Sequence, residues 1–171
     1  MISKKPLQLT LAILKPHVVK SPFALQGIPS RRTIITREEA EFFYADHKGK
    51  FFYNRLVTFV CSGPSDMHVL AGHDAIVKWR ELMGPTKVYQ AQYLAPNTIR
   101  GTFGLSDTRN AAHGSDSPES AEQEIKIFFK DFNTTKWYQI EEPFFSLGQV
   151  RFDPKAFVHI INEVDTTKST I

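Results

Sequence analysis

The first patterned stretch places an apolar residue at every odd position, Leu7, Leu9, Leu11 and Ile13. Gln8 and Thr10 lie between them, and Ala12 and Leu14 complete the run. A period of two predicts a mostly buried strand, ended by Lys15-Pro16. Residues 21–30 carry Pro22, Gly27 and Pro29, which leave room for no more than a turn or two of helix. Residues 31–35 read as a short strand. Thr36 with Glu39 forms a capping box and opens a helix through Tyr44 to about His47, halted near Gly49. Residues 51–60 are a second helical run, closed by Ser62-Gly63-Pro64, and 67–71 read as a strand. Asp74 caps a helix whose Ala75, Ile76, Trp79, Leu82 and Met83 follow the spacing of a buried face, ended by Gly84-Pro85. Residues 85–99 show no strong period, and a short extended piece precedes His113. Ser117 followed by Pro118 is a helix N-cap with proline at the first helical position. Ala121, Ile125 and Phe128 make the buried stripe of that helix. From about Pro143 the pattern weakens, and 165–171 are polar. Strands interspersed with helices define an α/β or α+β domain.

Composition narrows this. A chain of 171 residues has the size of one domain. Its 42% hydrophobic and 23% charged residues exclude disordered, collagenous and coiled-coil classes. Most of the 14 phenylalanines, many in pairs (Phe42-Phe43, Phe51-Phe52, Phe128-Phe129, Phe144-Phe145), are expected in the core. The net charge of +3 and pI near 9.0 suit phosphate-bearing ligands but fall short of a nucleic-acid signature. Cys61 is the one cysteine, so neither an internal disulfide nor a cysteine-based metal site is expected. No apolar run is long enough for a membrane span. The segment ahead of the first strand is too short for a signal peptide, and the expected location is intracellular.

Candidate chemistry concentrates in Arg109-Asn110-Ala111-Ala112-His113-Gly114-Ser115-Asp116-Ser117-Pro118. A histidine stands just ahead of a helix N-terminus, where unpaired N–H groups and the dipole favour an anion. Glu124 follows at a distance that lets it orient an imidazole. Two readings fit these residues: a capping turn beside a polar histidine, or a phosphoryl acceptor whose one nitrogen is held and the other free. Lys15, Arg80, Arg100 and Arg109 are candidate phosphate clamps or ordinary surface charges, and Phe52 is a base platform or a core residue. Glycine-rich phosphate loops, His-Glu-x-x-His and Gly-x-Ser-x-Gly do not occur.

The run Asn110-Ala111-Ala112-His113-Gly114-Ser115-Asp116-Ser117, continuing through Glu119-Ser120-Ala121 to Glu124-Ile125, resembles the signature of the nucleoside diphosphate kinases. The resemblance extends over Ile99-Arg100-Gly101-Thr102-Phe103, Arg80 with Gly84, Phe51-Phe52 to Leu56-Val57, Ser62-Gly63-Pro64 and Ile13-Leu14-Lys15-Pro16, covering residues 7–142. Phe51-Phe52-Tyr53-Asn54-Arg55-Leu56, Trp79-Arg80, Gly104-Leu105-Ser106-Asp107-Thr108-Arg109 and the C-terminal extension are similar to the family's divergent type-6 branch.

The resemblance implies an α+β fold, a ferredoxin-like antiparallel sheet covered by helices, over residues 1–143, with a C-terminal extension at 144–171. It implies a phosphotransferase that passes the γ-phosphate of a nucleoside triphosphate to a nucleoside diphosphate through a phosphohistidine. His113 would be the nucleophile and Glu124 its orienting partner. Lys15, Tyr44, Arg80, Thr86 and Arg100 would hold phosphates, Asn110 with Lys15 the ribose, and Phe52 and Leu56 the base. Mg²⁺ would ride on the nucleotide phosphates, with no metal ligands from the protein. Stacking without edge contacts predicts low base specificity. The family also implies a homo-oligomer, and its type-6 branch a mitochondrial protein partner, hence a cytoplasmic or mitochondrial location. A nucleic-acid partner is not expected.

Three departures stand out. The segment after Lys15 is shorter than in the family, which predicts loss of the first helix and second strand. His17 stands where the family has an acidic residue, and Asp107 where it has an apolar one. The alternative function is a weakly active or inactive nucleotide-binding pseudoenzyme working through a protein partner in growth or mitochondrial regulation.

Overall fold

The structure, a computed structural model, describes residues 5–18 and 27–162, with side chains of the second stretch from residue 30 onward. Strand β1 (Gln8–Leu14) lies at the centre of an antiparallel sheet. It pairs along its whole length with β3 (Ser65–Gly72), from Gln8 opposite Gly72 to Leu14 opposite Asp66. Its last residues also pair with the short β4 (Ala112–Gly114). Strand β2 (Gly27–Thr33) flanks β3 with a bulge between Gly27 and Ser30, and the order is β2-β3-β1-β4. The second strand expected to be missing is therefore present, and it begins four residues earlier than the apolar pattern indicates. Pro29 is tolerated because β2 is an edge strand. The helical turn expected within residues 21–30 lies largely outside the described residues, as does the polar end.

Both faces of the sheet are packed. Leu7 just ahead of β1, Leu9, Leu11 and Ile13 of β1, and Met67 and Val69 of β3 form one core cluster. Helices α1 (Arg37–Phe43), α2 (Tyr53–Val60) and α6 (Pro118–Phe128) close it with Ala40, Val57, Val60, Ile125 and Phe128. On the other face Ala12, Leu14 and Leu70 meet Trp79 and Met83 of α3 (Ala75–Met83) and Ile99 of α5 (Ile99–Phe103).

Local signals explain many boundaries. Thr36 accepts from the Glu39 backbone while the Glu39 carboxylate accepts from the Thr36 backbone, completing the capping box of α1. Helix α1 ends at Phe43, and Ala45–His47 continue as one 3₁₀ turn. Ser117 accepts from Ser120 N–H ahead of Pro118. Asp74 does precede α3, but it sits in the left-handed region (φ 55°) with no side-chain hydrogen bond to the helix. Leu82 is 47% exposed, because the α3 stripe that meets the sheet runs through Ala75, Ile76, Trp79 and Met83.

The aperiodic stretch after Gly84 holds α4 (Val88–Leu94). Beyond α6 come α7 (Thr134–Ile140), α8 (Glu142–Ser146) and an antiparallel hairpin of β5 (Val150–Asp153) and β6 (Val158–Ile161). Phe145, Val150 and Ile161 join the main core cluster, and β6 lies against β2. At its beginning, β1 is tied to this C-terminal region: the buried Leu7 N–H donates to Glu142 Oε1 at 2.9 Å.

Candidate active site

Pairing of β1 with β4 sets Ile13 opposite His113, so the end of β1 and the histidine strand deliver their side chains to one place. Lys15 N–H donates to Ala111 O at 2.9 Å, and Lys15 Nζ donates to Asn110 Oδ1 at 2.7 Å. Lys15 and Asn110 are both buried. Burial first, and the nearby Arg100 charge second, pull the Lys15 ammonium down to a pKa of about 7. Ala111, which joins Asn110 to β4, has φ 72°. A non-glycine residue in that region is a strained connection, held here by the pairing of β4 after it and by the Lys15 bonds to Asn110 and Ala111.

His113 is about one quarter exposed and its Nε2 lies 2.9 Å from Glu124 Oε2. The same carboxylate oxygen accepts from Ser115 Oγ at 2.6 Å, and Ser115 Oγ in turn accepts from Leu11 N–H at 3.2 Å. An ionised carboxylate can only accept, so Nε2 carries the proton. In a neutral imidazole Nδ1 is then the unprotonated nitrogen with a free lone pair. Phe43 packs edge-on against the ring, centroids 4.6 Å apart. The carbonyl of His113 accepts from Trp79 Nε1 at 2.9 Å. Glycine follows the histidine for a steric reason: a Cβ at Gly114 would stand 2.3 Å from Trp79 Cδ1.

Cations lie near the histidine strand. Arg100 is buried and donates to Gly84 O at 2.8 Å and Ala112 O at 3.1 Å, binding the end of α3 to the histidine strand. Its Nε is buried without a hydrogen-bond partner among the described residues. Burial first, then the neighbouring Arg80, lowers its pKa to about 10. Arg80 projects from the exposed face of α3. Asp116 lies near Arg80 and His113; the Ser120 hydroxyl, ahead of these charges, holds its carboxyl below the usual range. Arg80 near Arg100, and Arg100 near the buried Lys15, make a local excess of positive charge that suits an oligophosphate.

The remaining expected residues are spread around this centre. Tyr44, the C-cap of α1, is buried, and burial raises its hydroxyl pKa, Cys61 and Glu124 adding to it; the hydroxyl remains a donor. Its ring lies 4.7 Å from Phe43 and 6.1 Å from His47, and His47 lies 5.6 Å from Phe52. Aromatic contacts thus run without a break from His113 to Phe52. Phe52 is the half-buried N-cap residue of α2, and Leu56, one turn later, packs against the core. Thr86 is exposed in the link between α3 and α4.

Two of the departures acquire structural roles. Asp107 Oδ1 accepts from Val88 N–H at 3.2 Å, which anchors the start of α4. His17 packs its ring 5.5 Å from Phe59, and burial, ahead of the Lys15 and Arg109 charges, lowers its pKa. Trp79, Ser115 and Phe43 were not singled out for roles at the site. Ser115 was readable as the hydroxyl two residues past the histidine on the same strand face. Nothing in the sequence pointed to Trp79 as the donor to the histidine carbonyl. Among the described residues no three His, Cys, Asp or Glu side chains come together as a metal site. No helix among them is long and apolar enough to cross a membrane.

An antiparallel α+β sheet here presents a carboxylate-held histidine with buried cations nearby, the charge pattern of a site for an anionic ligand. Comparison makes this specific. The family model for nucleoside diphosphate kinase matches residues 8–134, and the chain belongs to that family. It is 47% identical to human nucleoside diphosphate kinase 6 over 93% of this chain and 92% of that one. It is 42% identical to the nucleoside diphosphate kinase of Psychromonas ingrahamii over 74% of this chain and 93% of that one. Among solved structures it resembles the Aquifex aeolicus enzyme (TM-score 0.64, 38% identity, 72% of this chain and 95% of that one). It also resembles the Halobacterium salinarum enzyme in complex with CDP (TM-score 0.65, 32% identity, 77% and 97%). Nucleotide binding and phosphotransfer are the properties this family membership supports.

Proposed function

We propose that this chain is an active nucleoside diphosphate kinase working by a two-step exchange on His113. The observation that carries the reading is the Glu124 carboxylate, held by Ser115, which accepts from Nε2–H and leaves the Nδ1 lone pair free on a partly exposed ring. In the first step Nδ1 attacks the γ-phosphorus of a nucleoside triphosphate. The bond from phosphorus to the β–γ bridging oxygen breaks, and the diphosphate leaves with that electron pair. In the second, a terminal oxygen of an incoming nucleoside diphosphate attacks the phosphorus, and the N–P electrons return to the ring.

Little covalent work falls to other groups, so positioning and charge neutralisation dominate. Arg80, Arg100, Thr86 and the Tyr44 hydroxyl supply donors to phosphate oxygens. Lys15 and Asn110, joined by their mutual hydrogen bond, address the ribose, and Phe52 with Leu56 supports the base. Lys15, Arg80 and Arg100 bring positive charge to the neighbourhood of the histidine strand. That fits a Mg²⁺ ion carried by the nucleotide rather than a resident one; when bound it neutralises phosphate charge.

A second reading, a nucleotide-binding protein that acts through a partner, is favoured by α4. There Tyr89, Tyr93 and Leu94 are 69%, 85% and 71% exposed, an apolar face of the kind partners cover. Incubation with γ-labelled ATP and Mg²⁺ separates the two. The kinase acquires acid-labile label that added nucleoside diphosphate removes, and His113→Ala acquires none. A folded wild-type chain that binds nucleotide without taking label would overturn the kinase in favour of the partner reading.

A further inference from the structure

The ring of Phe52 is bordered by groups that a simple stacking platform does not need. Lys50 is fixed between the 3₁₀ turn and α2: its N–H donates to His47 O, and its carbonyl accepts from Tyr53 N–H, each at 3.0 Å. From there the side chain carries Nζ to 5.9 Å from the centroid of Phe52, and 3.4 Å from His47 Nδ1. A lysine ammonium only donates, so Nδ1 is the acceptor and His47 aims the charge. His47 itself touches Phe52, and Phe51, 86% exposed, meets it on another side at 5.3 Å.

We propose that Lys50, aimed by His47, determines base preference: its ammonium donates to acceptor atoms on the edge of a base stacked on Phe52. The proposal rests on the nucleotide-binding reading above, which puts the base on Phe52. At 5.9 Å the ammonium is at the outer limit of a cation–aromatic contact. It stands over the ring on a long flexible stem, which lets it yield the face to a base and donate at that base's rim. A group with three donors and no acceptor sorts bases by chemistry. Guanine offers O6 and N7 as neighbouring acceptors, whereas adenine and cytosine present an amino donor on the corresponding edge. Stacking alone tolerates every base. The exposed Phe51 extends the apolar wall and partly shields the ammonium–base contact from water, which strengthens it.

The test is calorimetric titration of the full chain with GDP, 7-deaza-GDP, which lacks the N7 acceptor, and CDP. Wild type, Lys50→Met and His47→Leu are compared at one low salt concentration. Wild type is expected to bind GDP about three- to tenfold tighter than the other two. Lys50→Met should bind all three alike, and His47→Leu should lose most of the preference. Equal affinities in wild type, or a guanine preference that survives Lys50→Met, would overturn the proposal. Failure of a folded chain to bind any of the nucleotides would overturn the nucleotide-binding reading, and this inference with it. Lys50 is exposed, so matching melting temperatures are expected of wild type and Lys50→Met.

Discussion

Replacing Gly114 by alanine adds one methyl group at the residue after His113, and the structure says what that methyl meets. It would lie 2.3 Å from Trp79 Cδ1, 2.6 Å from Trp79 Nε1 and 2.7 Å from Met83 Cε. Met83 can swing a terminal methyl aside, but the indole is rigid. Trp79 is 2% exposed and is held by its bond to the His113 carbonyl. Relief therefore requires the indole to move, the bond to break, or β4 to shift. Overpacking of a filled core costs about 1–3 kcal/mol, and a lost buried hydrogen bond roughly 1 kcal/mol more. For a chain of this length a loss of about 2–4 kcal/mol lowers the melting temperature by about 5–15 °C. Because the displaced contact is to the histidine's own carbonyl, phosphohistidine formation should fall too, measured well below the melting range. Gly72→Ala is the control. Its methyl would meet only Ala75 Cβ at 4.0 Å, an ordinary contact, so it should leave stability within about 1 kcal/mol of wild type. If Gly114→Ala melts within 2 °C of Gly72→Ala, the packing account of the histidine strand is wrong.

Other outcomes follow from the same geometry. Glu124→Gln presents an amide that can donate to Nε2 and so disturbs the tautomer. The phosphorylation rate should drop by about ten- to a hundredfold with little change in nucleotide affinity, and nitrogen-15 shifts of His113 should show the proton redistributed; unchanged shifts would argue against the tautomer assignment. A buried lysine with a pKa near 7 is mostly neutral at pH 8. A polyanion favours its charged form, so binding there should take up close to one proton, measurable by titration in buffers of different ionisation heat. Lys15→Arg should abolish the uptake, and no uptake in wild type would refute the assignment. In the free protein the same depression means that the unfolded chain binds the extra proton between pH 7 and the ordinary lysine value. Lys15's contribution to stability therefore rises with pH across that window. Arg100→Lys keeps the charge but cannot bridge Gly84 O and Ala112 O together, and should melt about 2–8 °C lower; an unchanged melting temperature would remove the brace from the account.

What could be read from the sequence was what local rules control. The period of two in β1, the Thr36–Glu39 box and the Ser117-Pro118 start each express a preference decided within a few residues. The long histidine motif pointed to His113 and Glu124, and the structure brings the pair within hydrogen-bond distance. The unread parts have physical reasons. Helix α4 buries little beyond Val88 and Ala91, too few positions to show a period. Adjacent residues on a helix point in directions far apart, which leaves Phe42 exposed beside half-buried Phe43; Phe51 and Phe52 sit in the turn ahead of α2, Phe51 exposed and Phe52 half-buried. Phe128 and Phe129 are both buried because the helix ends there and the second ring is free to fold inward. The braces of the site (Arg100 to two carbonyls, Trp79 to a third) join side chain to backbone across long separations, and composition or spacing carries no trace of them.

The bond from Leu7 N–H to Glu142 spans 135 residues, and this bears on the order in which the protein can be finished. Among the described strands the first to be made, β1, is one of the two inner strands of the sheet. Its pairing waits first for β3 and then for β4, and the start of the strand is tied down only when α8 has been made. Loop-closure entropy grows only logarithmically with length, so so wide a span costs little more than a short one at equilibrium. In time it counts for more: a chain growing from its N-terminus holds the apolar row of β1 without its final partners until β3, β4 and then α8 have been made.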